Sequence, residues 1–318
     1  MADQIQLDAT PDTAGRPLGN IYYGTSSWTD RTLLASKRFY PSSARSAEER
    51  LRFYAERFPL GEVDSTYYGL RSERNAVLWV ERTPPHFVFN IKAYGLLTQH
   101  PVAVRSLPEP VRELLPKSAF DKKRVYPKDL SAEAQEAVWS SFVAALRPLV
   151  DARKLGAVLF QFPRWFTNNR RNRDYLRALP ERFPLRIAVE FRGGGWMDED
   201  RRERTLAMLE ELQLAYVVVD EPQGFKSSTP PVVASTSREL AFIRFHGQNA
   251  ETWEKPGLTA AERFRYLYSD EELGRWVEPA RELGKQSDQL HLLMNNCYED
   301  YGIRNAAQIA TLLADGPA

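Results

Sequence analysis

The chemistry this chain could do stands at the ends of its apolar runs. In RIAVEFRGGGW, residues 186–196, Ile187, Val189 and Phe191 alternate with Ala188, Glu190 and Arg192. Period-two alternation sends the two sets to opposite faces, so one face is apolar and the other ends in a carboxylate and a guanidinium. The ending recurs: Glu62 and Asp64 in EVDST, Asn90 and Lys92 in FVFNIK, Gln161 in LGAVLFQFP, Asp220 in AYVVVD, Arg244 and His246 in LAFIRFHG, and Asn295 and Asn296 in LHLLMNN. Carboxylates beside an imidazole and an amine suit proton exchange, which makes Glu190, His246, Asp220 and Lys92 the expected catalytic groups. Arg192 and Arg244 suit a phosphate or carboxylate, because a guanidinium offers paired donors to an oxyanion. Gln161, Asn295, Asn296 and Asp64 complete the expected substrate-binding set, with Trp28 and Trp196 as its walls. Lys92 serves either as a charge clamp or as a Schiff-base nucleophile.

These side chains meet only if their strands lie side by side. Eight strands are expected, at 20–24, 62–66, 87–92, 155–163, 186–192, 215–220, 240–247 and 290–296. Helical sequence alternates with them. Ser46 and Glu49 make a capping box, 131–154 reads as a long helix with Pro148 inside it, and Leu206, Leu209 and Leu212 share one face of another. The spacing predicts an α/β fold, a single (β/α)8 TIM-like barrel, whose ligands meet the carboxyl ends of the strands. Two irregularities are expected: a long connection after strand three, and a proline- and serine-rich sixth crossover, 221–240, without a helix. Residues 1–19 read as a flexible N-terminal arm and 20–318 as one domain.

Composition narrows the function classes. The 318 residues are 43% hydrophobic and carry a net charge of +1, so no global field favours nucleic acid or an acidic membrane. A lone cysteine, Cys297, excludes an internal disulfide framework, and the expected location is the cytoplasm. Nucleotide-binding GxGxxG and GxxxxGK[ST] motifs and the GxSxG elbow are absent, so no cofactor is required by the sequence.

The words GTSSW, EVDSTYY, FVFNIK with TQHP, KLGAVLFQFP, VEFR, RFHG, and NN followed by YGIRNA stand in an order that resembles the YecE-like family, a domain of unknown function. The resemblance covers residues 21–313. It implies a TIM-like barrel with no established activity. By position, its matching polar residues are Lys92, Gln161, Glu190, Arg192, Arg244, His246, Asn295 and Asn296. Two departures stand out: Asp64 replaces a usual asparagine, and GGG at 193–195 replaces a more polar segment.

Three functions compete. The first is a hydrolase or lyase acting on a small phosphorylated or carboxylated substrate at the carboxyl mouth of the barrel. The second is a divalent-metal nuclease or isomerase using Glu190, Asp220, His246 and Glu62. The third is a non-catalytic binder, of a ligand or of nucleic acid through 170–173 and 122–124. A mouth whose charges merely satisfy one another is the structural alternative to all three.

Overall fold

The alternation in FVFNIK sorts its residues as expected. Phe89 and Ile91 join the apolar layer beneath the helices, while Val88 joins a second cluster with Leu60, Ala157, Ala188 and Val217 along the barrel axis. Asn90 and Lys92 share the parity of Val88 and so face inward. The computed structural model describes residues 15–315. Its eight barrel strands are β1 (Ile21–Thr25), β2 (Leu60–Val63), β3 (Val88–Lys92) and β4 (Leu155–Gln161), then β5 (Ile187–Glu190), β6 (Ala215–Asp220), β7 (Ala241–Phe245) and β8 (Leu290–Met294). They pair in chain order, all parallel, and β8 closes the ring against β1. The expected (β/α)8 barrel is therefore the fold.

Closure brings β1 unusually close to β2. A Cβ on Gly24 would lie 1.8 Å from the Leu60 carbonyl oxygen, so no larger residue fits there without moving the strand. Helices cover the outside, the longest being Ala132–Asp151, whose N-cap Ser131 accepts from the Ala134 amide. The long connection after β3 is not featureless. It carries the short helix Glu109–Glu113 and an antiparallel ladder of Val102–Ala103 with Arg124–Val125.

β2 is shorter than its sequence suggests. At Asp64 the backbone turns to φ −85°, ψ −22°, and Ser65–Tyr67 form a 3₁₀ turn. The Thr66 hydroxyl ties that turn to Val63 O at 3.1 Å and Lys92 O at 2.6 Å. The sixth crossover has no helix, and hydroxyl staples take its place. Thr236 Oγ1 donates to Leu214 O and accepts from the Tyr216 amide, while Thr229 Oγ1 donates to Phe191 O.

Of the expected N-terminal arm, residues 1–14 lie outside the described residues. The remainder is tied down: Leu18 pairs with Ile21, and His86 Nε2 meets Gly15 O at 2.7 Å. Among the described residues no helix is long and apolar enough to cross a membrane.

Candidate functional site

Inward parity places Glu62, Glu190 and Arg244 at the ends of β2, β5 and β7, where they meet in full burial. Arg244 uses its fork on both acids: Nη1 donates to Glu190 Oε2 and Nη2 to Glu62 Oε1, each at 2.6 Å. Nη2 also reaches Ser26 Oγ at 3.1 Å and Asn295 Oδ1 at 3.3 Å. Glu190 Oε1 receives Gln161 Nε2 at 2.6 Å and lies 3.1 Å from His246 Nε2 and 3.2 Å from Arg192 Nε. Burial alone would raise this carboxyl, but Arg244, His246 and Arg192 hold it well below the usual carboxylate range.

His246 is held neutral. Asn295 Oδ1 accepts from Arg244, which turns its amide Nδ2 toward His246 Nδ1 at 2.8 Å. Nδ1 is therefore the bare nitrogen, and the proton sits on Nε2, facing Glu190. Burial, then Arg192, pushes the imidazole down to about 3. Both ring nitrogens are occupied, as are both oxygens of Glu190, so these two expected catalytic groups each have a hydrogen-bond partner at every polar side-chain atom. These two residues and Arg244 form a charge frame joined through the Arg244 Nη atoms, while Arg244 Nε is buried without a hydrogen-bond partner.

Sequence reasoning missed Glu221, the next inward position after Val219. It is buried, its Oε1 accepts from the Thr229 amide at 2.7 Å, and its Oε2 accepts from Arg192 Nη1 at 2.9 Å. Thus the irregular crossover is anchored to the mouth through a carboxylate. The signal was only that a second acid follows Asp220. Trp253 also belongs here, with the Arg192 guanidinium 5.2 Å above its ring.

Four expected residues lie elsewhere. Asp220 faces the helix layer, where Gln248 Nε2 donates to Oδ1 at 2.5 Å, so it cannot orient a group in the mouth. Asn296 donates to Tyr266 O at 2.9 Å and Asn305 Oδ1 at 2.8 Å, bracing the last helix, Tyr301–Asp315. Trp28 packs on Tyr54 and Phe89, both in the outer layer. Trp196 is fully buried, stacked on Phe191 at 4.6 Å and 7° and on Phe166 at 5.6 Å and 16°. The glycines at 193–195 make the turn that puts it there; all three have φ between 67° and 74°, which favours glycine.

Two ionisable groups are not absorbed by the frame. Glu62 Oε2 is buried without a hydrogen-bond partner. Burial pushes this carboxyl up to about 7, against the pull of Arg244 and Lys92. The side-chain amine of half-buried Lys92 engages no hydrogen bond or ion pair among the described residues; its Nζ lies 5.1 Å from the Tyr67 ring centroid. Burial, then Arg244, lowers its pKa, outweighing Glu62, Glu190 and Asp64. Tyr67 continues edge-on to His100, and His100 to Trp165, which is 54% exposed. His100 therefore stands beside this wall, and burial with Lys92 lowers it to about 4. Asp64 is exposed on the rim.

The raised Glu62 carboxyl sets a sign for stability against pH. Between its ordinary 4.5 and about 7 the native state keeps a proton that the unfolded chain has released. That contribution is complete below pH 4.5 and is lost as pH rises through 7, by up to the order of 3 kcal/mol. Urea unfolding at several pH values should show the slope, and Glu62→Gln should reduce it, leaving the part of the same sign that Glu221, pushed up to about 8 by burial, contributes. An unchanged slope in the variant would assign it to another group.

Among the described residues no three of His, Cys, Asp and Glu converge as metal ligands would, so the metal-dependent reading lacks its donor set. Of the basic runs, Lys122 pairs with Asp129 at 3.0 Å, Arg170 with Asp174 at 3.8 Å, and Arg173 donates to Asn168 Oδ1 at 2.7 Å.

The comparisons agree with this architecture. Residues 22–317 match the family model described as protein of unknown function DUF72. A Bacillus subtilis (strain 168) relative, UPF0759 protein YunF, is 32% identical over 297 residues, covering 92% of this chain and 94% of that one. The crystal structure of a DUF72 family protein from Enterococcus faecalis V583 superposes with TM-score 0.73 at 25% identity, covering 94% of this chain and 97% of that one. Another, from Thermotoga maritima MSB8, gives 0.71 at 29% identity, covering 93% and 99%. The resemblance carried by GTSSW through YGIRNA is borne out, and the chain belongs to the DUF72 family of proteins of unknown function.

Proposed function

We propose that this protein is an enzyme, a hydrolase or lyase, that binds a small carboxylated or phosphorylated substrate at the carboxyl mouth of the barrel. The observation that carries the reading is Lys92. Among the described inward-facing cations, Arg244 and Arg192 are both paired with carboxylates, whereas Lys92 is not. A cation desolvated without a partner is costly to keep, and an anionic ligand is the partner that would relieve it.

Charge balance supports the same ligand. Burial pushes both Glu62 and Glu221 up, to about 7 and about 8, so the mouth holds Arg244, Arg192 and Lys92 against Glu190 as its firmly ionised carboxylate, with Asp64 outside on the rim. Glu62 is then the proton-exchanging group, because its free Oε2 titrates near neutrality while both oxygens of Glu190 are occupied. Glu190, His246, Gln161 and Asn295 act as positioning residues that hold Arg244 and Arg192 still.

The test is a panel of small phosphorylated and carboxylated compounds, scored for product formation by NMR, with Glu62→Gln measured on any compound turned over. Turnover should fall by about 10²–10⁴ in the variant, the usual worth of a proton-transfer group. Undiminished turnover would remove Glu62 from the chemistry.

A further inference from the structure

We propose that Lys92 is a covalent nucleophile, whose Nζ forms an imine with the carbonyl carbon of a small carboxylated or phosphorylated aldehyde or ketone. This rests on the anion-binding reading above and narrows its substrate class to carbonyl compounds. Three features of the mouth support it. First, the amine is half-buried at the end of β3 and has no hydrogen bond or ion pair among the described residues, so its lone pair is not committed once the proton leaves. Second, the Nζ lies 5.1 Å from the Tyr67 ring centroid, so the ring walls one side of the amine without taking its lone pair. Third, Glu62 stands on the neighbouring strand, registered against Asn90 two residues before Lys92 on the same face. Its Oε2 has no partner.

The steps balance as follows. The Nζ lone pair attacks the carbonyl carbon as the C=O π pair moves to oxygen, and a proton passes from nitrogen to that oxygen to give the neutral carbinolamine. Glu62 Oε2–H then protonates the hydroxyl, which leaves as water while the nitrogen lone pair forms C=N. The products are a protonated imine on Lys92, one water and the Glu62 carboxylate, which faces the new cation. The lowered affinity of Lys92 for its proton keeps more of the amine in the nucleophilic form than a surface lysine would. Glu62, titrating near neutrality, is a competent acid for dehydration.

The experiment is reductive trapping of the full chain. The protein is incubated near pH 7.5 with pyruvate or with glyceraldehyde 3-phosphate, cyanoborohydride is added, and adducts are located by intact mass and peptide mapping. One adduct per chain is expected, at Lys92, forming about tenfold or more faster than at any other lysine. It should disappear in Lys92→Arg and form about tenfold or more slowly in Glu62→Gln, which keeps the amine. Adducts spread over surface lysines, at equal rates in the wild type and Lys92→Arg, would overturn the proposal. Calorimetric titration with inorganic phosphate and pyruvate separates the two levels. Binding that depends on Lys92 without trapping removes the imine and leaves the anion site standing, whereas absence of both removes both.

Discussion

Replacing Arg244 with methionine should destabilise the protein by about 3–5 kcal/mol, a drop on the order of 10 °C in melting temperature. The guanidinium is 1% exposed and donates to Glu190, Glu62, Ser26 and Asn295. Methionine fills much of its volume but leaves two carboxylates facing each other without the cation between them. Glu62 then loses the charge that most lowers it and should stay protonated to higher pH than in the wild type. Arg244→Lys should recover only part of the loss, because one ammonium cannot present a fork to two acids in the same plane. Thermal and urea unfolding measure the effect; a loss below about 1 kcal/mol would mean that the acids are solvated rather than paired.

Lys92→Met should act in the opposite sense on stability and far more strongly on function. Methionine preserves the stem over Tyr67 and removes the amine. Because Lys92 holds its proton less tightly in the fold than in the unfolded chain, its charge opposes folding at neutral pH, and the variant should melt at or slightly above the wild type. Affinity for phosphate or pyruvate should fall about 10- to 100-fold, the worth of one charge-assisted hydrogen bond of about 1.5–3 kcal/mol. Turnover of any substrate found should be lost. A variant that is both destabilised and fully able to bind would place Lys92 in the frame with Arg244.

How much of this was legible in the sequence depended on contrast between the two faces of each strand. FVFNIK, IAVEFR and AFIRFH alternate apolar with polar, and the inward sets read from them, Lys92, Glu190, Arg192, Arg244 and His246, have the predicted parity. AYVVVD is apolar on both faces, so nothing in it distinguishes them, and the inward acid is Glu221 rather than the expected Asp220. LHLLMNN has the same weakness, and only Asn295 of its two asparagines enters the mouth. Trp28 and Trp196 follow strands in sequence, yet their loops fold outward over the helix layer. Pairing was not legible either. The residue types announce that acids and bases converge, but only distances reveal that Arg244 and Arg192 are committed and Lys92 is not.

The most direct test is the titration of the Lys92 amine itself, by NMR on protein carrying isotope-labelled lysine, with Lys92→Met to assign the signal. The predicted midpoint lies below that of the surface lysines, and adding inorganic phosphate or pyruvate should shift both the resonance and its midpoint. A Lys92 signal that titrates with the surface lysines or above them, and does not respond to either anion, would show an amine already partnered within the barrel and would contradict the account.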